Sequence, residues 1–119
     1  MLKLQQHLQR LVQGCEGAVG CVLMGFDGVA VESFAGAGEA DVQAMGMEFA
    51  FVLNQVRKAA QILEVGALRE LTVHGDRLIF LIQVLGEEYF VGLAMRPDSN
   101  FGKARFLLRL ALPDLKNPV

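Results

Sequence analysis

With 119 residues and a formal net charge of −2, the chain is sized for one domain that can bury a core without disulfide staples. Basic and acidic residues number 11 and 13 with no long block of either sign, which argues against nucleic acid as a partner. The composition is 53% hydrophobic and 20% charged, more apolar than one small core can hide, so self-association or a protein partner is expected.

Leu4, Leu8, Leu11 and Val12 recur at helical spacing among Gln5, Gln6, Gln9, Arg10 and Gln13, predicting an amphipathic first helix that ends at Gly14. Its frequent polar residues are unlike a signal peptide, and no apolar run approaches the roughly 18 residues needed to span a bilayer. A cytoplasmic protein with no membrane insertion is expected. His7, among polar neighbours, reads as a solvated residue. Cys15 and Cys21 match no zinc or redox spacing and read as reduced core thiols.

From Ala18 to Phe26 nearly every position is apolar; Asp27-Gly28 and VAVESFA follow, which is a strand pair closed by a hairpin turn. A strand apolar on both faces needs cover on both. After the AGAGEAD loop, Asp41 is placed to cap a long helix running to about Leu63 and ended by Gly66. Three strands follow: ALRELTVH, RLIFLIQVL after the Gly75-Asp76 turn, and EYFVGLAM after Gly86-Glu87. Pro97 stops the last of them. Asp98 or Ser99 is expected to cap a final helix with Phe101, Ala104, Leu108, Ala111, Leu112 and Leu115 as its buried stripe. The order is α-β-β-α-β-β-β-α, an α+β fold with a five-stranded antiparallel sheet, over one domain spanning residues 1–119.

The long middle helix carries two apolar stripes. At 100° per residue, Met45, Phe49, Val52, Val56, Ala60 and Leu63 fall on one side and are expected to pack on the sheet. Met47, Phe51 and Ile62 fall opposite, interleaved with Asn54 and Lys58. A second stripe needs a second surface, and pairing with another copy of the same helix supplies one, with Asn54 and Lys58 in a polar rim.

Gly102-Lys103 resembles part of a phosphate-binding loop, but Pro97 stands where the first glycine belongs and Ala104 replaces the hydroxyl that would meet the metal. The stretch reads instead as the start of the last helix, with Gly102 serving backbone geometry or close packing. No catalytic constellation emerges. Ser33, Ser99 and Thr72 have no motif relation to His7 or His74, and the carboxylate pairs Glu39 with Asp41 and Glu87 with Glu88 fall in a loop and a turn. No metal-ligand spacing appears, so no catalytic, metal or cofactor site is expected and the chain is not read as an enzyme.

GAVGCVLMGFDGVAVESFAG, a long helix after GEAD, and LAMRPDSNFGKARFLLRLALPDL together resemble the roadblock/LC7 family, which includes dynein light chains and bacterial regulators of small Ras-like GTPases. The resemblance implies a profilin-like arrangement, with the long helix on one sheet face and the terminal helices on the other. It also implies dimers joined through the long helices and third strands, which adds Leu71 and Val73 to Met47, Phe51, Asn54, Lys58 and Ile62 as interface residues. The implied partners are a second copy of the chain and a small Ras-like GTPase acting in cell polarity or motility, with stimulation of GTP hydrolysis as one outcome. The alternative is a dimeric adaptor that leaves nucleotide turnover alone. The gliding-motility type usually continues past the last helix, whereas this sequence ends at LKNPV. For an arginine finger, Arg57, Arg69, Arg77, Arg96, Arg105 and Arg109 qualify by residue type alone; Arg105 and Arg109 read as a solvated face of the last helix. Activation that orients the GTPase's own switch residues is the preferred reading.

Overall fold

The structure, a computed structural model, describes residues 3–36 and 41–116. The elements are α1 (Leu4–Gly14), β1 (Ala18–Gly25), β2 (Ala30–Ala35), α2 (Val42–Ile62), β3 (Glu70–His74), β4 (Ile79–Leu85), β5 (Tyr89–Met95) and α3 (Phe101–Lys116). All pairings are antiparallel and the sheet order is β2-β1-β5-β4-β3, so β2 and β3 are the two edges. The expected α+β fold is the one observed.

The central strands β1, β5 and β4 are buried on both faces, as their largely apolar runs require, with Gln83 the polar residue in β4. On one face, Cys21, Leu23, Leu81, Leu93 and Met95 meet Leu8, Leu11 and Val12 of α1 and Ala104, Leu108 and Leu115 of α3. On the other, Val22, Met24, Phe80, Ile82 and Phe90 meet Val42, Ala50 and Leu53 of α2. Phe80 stacks on Phe49 with ring centroids 5.1 Å apart, over Gly92, where an added Cβ would fall on Phe80 Cζ and lie 2.9 Å from its Cε2.

The buried face of α2 is rotated from the one expected. Val42, Gly46, Ala50, Leu53 and Ala60 form it, with Met45 and Phe49 at its margin, while Val52 is 42% and Leu63 71% exposed. Close approach decides this: a Cβ on Gly46 would sit 2.9 Å from Met24 Cε and 3.1 Å from Val22 Cγ1, so the contact is made by small residues that a size-weighted stripe overlooks.

Asp41 caps α2 as expected, its carboxylate accepting the Ala44 amide at 3.0 Å. The far end is a Schellman motif in which the Val65 amide reaches Ala60 O and the Glu64 amide reaches Gln61 O, with Glu64 itself at φ 57° in the left-handed position. Glycine was expected to end the helix at Gly66, two residues later. Glu64→Gly should therefore raise stability by about 0.5–1 kcal/mol, because a side chain in the left-handed region costs about 1–2 kcal/mol and glycine's unfolded-state freedom returns part of it; a urea midpoint that falls would refute this.

Several boundaries move: β1 ends at Gly25 rather than Phe26, and β2 and β5 each begin one residue later than expected. Strand β3 begins at Glu70 rather than Ala67, since the chain leaving this cap uses residues 67–69 to reach the sheet edge. Strand β4 begins at Ile79 rather than Arg77 because the Gly75 amide bonds Leu78 O and draws 76–78 into the turn. The cap of α3 is Asn100, whose Oδ1 accepts the Lys103 amide at 3.0 Å, and not Asp98 or Ser99.

Gly102 is exposed, with no atom closer to an added Cβ than Asn100 Oδ1 at 3.7 Å and no positive φ, so it serves neither close packing nor special backbone geometry. The expected role is overturned, and Gly102→Ala should stabilise the protein by about 0.5–1 kcal/mol through helix propensity. Chemical denaturation checks the sign.

Candidate interaction surface

Helix α2 packs chiefly across β1, β2 and β5. Its outward face presents Met47 at 58%, Phe51 at 70% and Ile62 at 72% exposure, with Lys58 and Asn54 also exposed. The second apolar stripe is thus open to solvent. Leu71 and Val73, on edge strand β3, are half-buried and turned toward the α2 side of the sheet. A cleft of about 660 Å³ lies beside α2, lined by Asn54, Arg57, Lys58 and Gln61 of the helix and by Leu68, Val84, Gly86 and Glu87 opposite. All seven interface candidates therefore lie on α2's outward face or on the β3 edge of the same sheet face.

Asn54 does more than border this surface: its side-chain amide donates to Phe26 O at 2.8 Å and to Ala50 O at 3.0 Å, tying α2 to the end of β1. The Arg57 guanidinium lies 3.7 Å over the Phe26 ring, a cation–π contact that sets one wall of the cleft. Sequence reasoning missed Arg57, Leu68 and the exposed Val65 as parts of this region; Val65 follows the helix outside any periodic pattern, and Leu68 was read into the strand that in fact begins at Glu70.

The arginines separate by environment. Arg105 is engaged, with its Nε donating to Glu70 Oε1 at 2.8 Å while the buried Gln83 donates to the same oxygen at 3.0 Å. It ties α3 to β3 while remaining 46% exposed, so the solvated face expected from helix geometry also carries an ion pair that this geometry does not show. Arg96 pairs with Asp98 at 3.5 Å in solvent, and Arg109 is exposed.

The candidate nucleophiles are scattered. Ser33 Oγ accepts a bond from Gln43 at 2.8 Å, Thr72 lies on β3, and Ser99 Oγ is buried beside Gly17. His74 ends β3, exposed, whereas His7 is half-buried in a depression between α1 and α3, a correction to its solvated reading. Glu39 lies outside the described residues, and its presumed partner Asp41 serves as the α2 cap. Among the described residues no three His, Cys, Asp or Glu side chains gather as a metal site, and no helix is long and apolar enough to cross a membrane.

Cys15 and Cys21 are buried and unbridged. Burial pushes both thiols up; nearby Lys103 draws Cys15 back in part, and Cys15 itself adds to the rise at Cys21. The folded state therefore holds thiol protons that the unfolded chain releases once the pH exceeds the ordinary thiol range, and stability should fall there as pH rises. Neither thiol should react with a disulfide reagent at pH 8 until the protein unfolds; stoichiometric labelling of the folded protein would contradict their placement.

No protein-family model matches the sequence, and no curated protein matches it. Among solved structures, MglC from Myxococcus xanthus is 33% identical over 99% of this chain and 100% of that one, with a TM-score of 0.72. A roadblock/LC7 domain from Streptomyces avermitilis is 14% identical over 97% of this chain and 96% of its own, with a TM-score of 0.85. The gliding protein MglB from Thermus thermophilus is 15% identical over 95% of this chain and 85% of its own, with a TM-score of 0.84. The latter two share the fold; the first shares sequence as well.

Proposed function

This chain belongs to the roadblock/LC7 family as a homologue of MglC, and from that premise we propose that residues 1–119 act as one homodimeric regulatory domain that binds a small Ras-like GTPase. The observation that carries the dimer is the open apolar stripe of Met47, Phe51 and Ile62 on α2, on the sheet face toward which Leu71 and Val73 of edge strand β3 are turned. Helix pairing about a twofold axis would bury the first group, and β3 meeting its own copy would satisfy the edge. Lys58 and Asn54 then lie at the margin.

The GTPase partner is supported by the likeness to MglC and to the gliding protein MglB. The chain contributes protein binding and no chemistry or cofactor of its own. Arg57 stacked on Phe26 and Arg105 held by Glu70 are poor fingers, since each would have to leave its partners to reach a phosphate. Stimulation, where it occurs, acts by favouring a competent conformation of the GTPase's own switch residues. The second reading is a dimeric adaptor that holds the GTPase without altering turnover.

Purification of the chain with a Ras-like GTPase loaded with a non-hydrolysable GTP analogue or with GDP tests the proposal. A complex with the GTP form is expected, and no complex with either form would refute it. A single-turnover hydrolysis assay on the complex then separates regulator from adaptor.

A further inference from the structure

On the sheet face away from α2, at the end where the β1–β2 and β4–β5 turns lie, an apolar groove of about 570 Å³ opens between Leu4 of α1, Leu115 of α3 and Leu23, Val31, Leu85 and Tyr89 of the sheet. A second depression of about 400 Å³ continues it past Val31 and Tyr89 to Val29. Val29 is 64%, Val31 51% and Tyr89 40% exposed, a cluster of surface hydrophobes far from the proposed dimer edge, since β2 and β3 bound opposite sides of the sheet.

Two features restrict what the groove can take. Among the described residues its lining carries Asp27, Glu87 and Glu88 against Lys116, with the Arg57 guanidinium at the far side over Phe26 and 3.5 Å from Glu87 O, and none of the four lining charges is in an ion pair. A carboxylate-bearing ligand is repelled and a lysine- or arginine-bearing one is drawn in. The second feature is a β-bulge: Leu23 pairs with Glu32 and Met24 with Ala30, leaving Val31 outside the ladder and in the groove lining. A bulge on an edge strand disfavours addition of another strand, so a helical occupant fits better than an extended one.

We propose that this groove is a docking site for an amphipathic helix from a partner protein, one whose apolar stripe is flanked by lysine or arginine. The groove opens on the sheet face opposite α2 and meets the α2 surface only along the turns, where Gly86 and Glu87 line both and Met47 lies beside Gly28, so a helix seated over Val31 and Tyr89 leaves Phe51 and Ile62 uncovered.

Two fluorescein-labelled synthetic peptides test this, sharing one leucine stripe at i, i+3, i+4 and i+7 and carrying either lysine or glutamate at every flanking position. Fluorescence anisotropy on the full chain at low salt should show the lysine peptide binding at least about tenfold tighter than its twin, and added salt should weaken it. Val31→Asp should abolish binding while circular dichroism stays unchanged, and Glu87→Lys with Glu88→Lys should remove the preference for lysine. Phe51→Asp should leave peptide binding intact, so that failure of the dimer reading and failure of this one are distinguishable. Equal binding of the twins, or binding indifferent to Val31→Asp, would overturn the proposal. So would self-association beyond a dimer that Val31→Asp removes, because the groove would then belong to a second copy.

Discussion

Replacing Phe51 by Asp should turn the proposed dimer into a monomer without unfolding it. Phe51 is 70% exposed on the outward face of α2, so the isolated fold does not need its ring, while the proposed helix pairing places it at the centre of the contact. A carboxylate buried there without a cation costs about 3–5 kcal/mol, which weakens association by about two to nearly four orders of magnitude. Phe106→Asp is the control, because Phe106 is also an exposed aromatic, at 58%, but on α3 across the sheet. Sedimentation velocity should show a monomer for the first variant and a dimer for the second. An unchanged dimer with Phe51→Asp would remove this residue from the interface, and loss of the dimer only with Phe106→Asp would move the interface to the other face.

Gly17→Ala should be the most damaging single-methyl change in the fold. Gly17 joins α1 to β1 at φ 92°, where a side chain is strained whatever the space, and an added Cβ would fall on the Ser99 hydroxyl and lie 2.9 Å from Ser99 Cβ. The neighbours cannot simply retreat, because the Arg96 amide is bonded to Gly17 O at 2.9 Å and fixes the segment that leads into α3. Strain and overpacking together should cost about 2–4 kcal/mol, read as a drop in the urea midpoint. Ser99→Gly added to this variant should recover the steric part and leave the backbone strain. If Gly17→Ala alone leaves the midpoint unchanged, the turn is not under the constraint described.

Much of the architecture is legible because it rests on local patterns. Period-3.6 spacing marked α1 and α3, continuous apolar runs marked β1, β4 and β5, and Asp27-Gly28 and Gly75-Asp76 marked the hairpins. The outward stripe of α2 was legible for the same reason, since Met47, Phe51 and Ile62 are too many large apolar residues for a face turned only to water. What could not be read was anything set by distance between elements. Which side of α2 meets the sheet depends on Gly46 and Ala50 admitting Met24 and Val22, and small residues carry little weight in a hydropathy pattern. Arg105 is exposed as a helical wheel suggests, but its ion pair is not legible there because its partner Glu70 is 35 residues away on another element.

By itself, then, the amino-acid order determined the kinds of element, their sequence along the chain and the need for a second apolar surface, all of which follow from periodicity and turn chemistry within a few residues. Only the tertiary structure decided the seating of α2, the tie between Arg105 and Glu70, and the acid-rimmed groove around Val31. Each of these arises where residues distant in sequence come within a few ångströms, and short-range spacing holds no information about that distance.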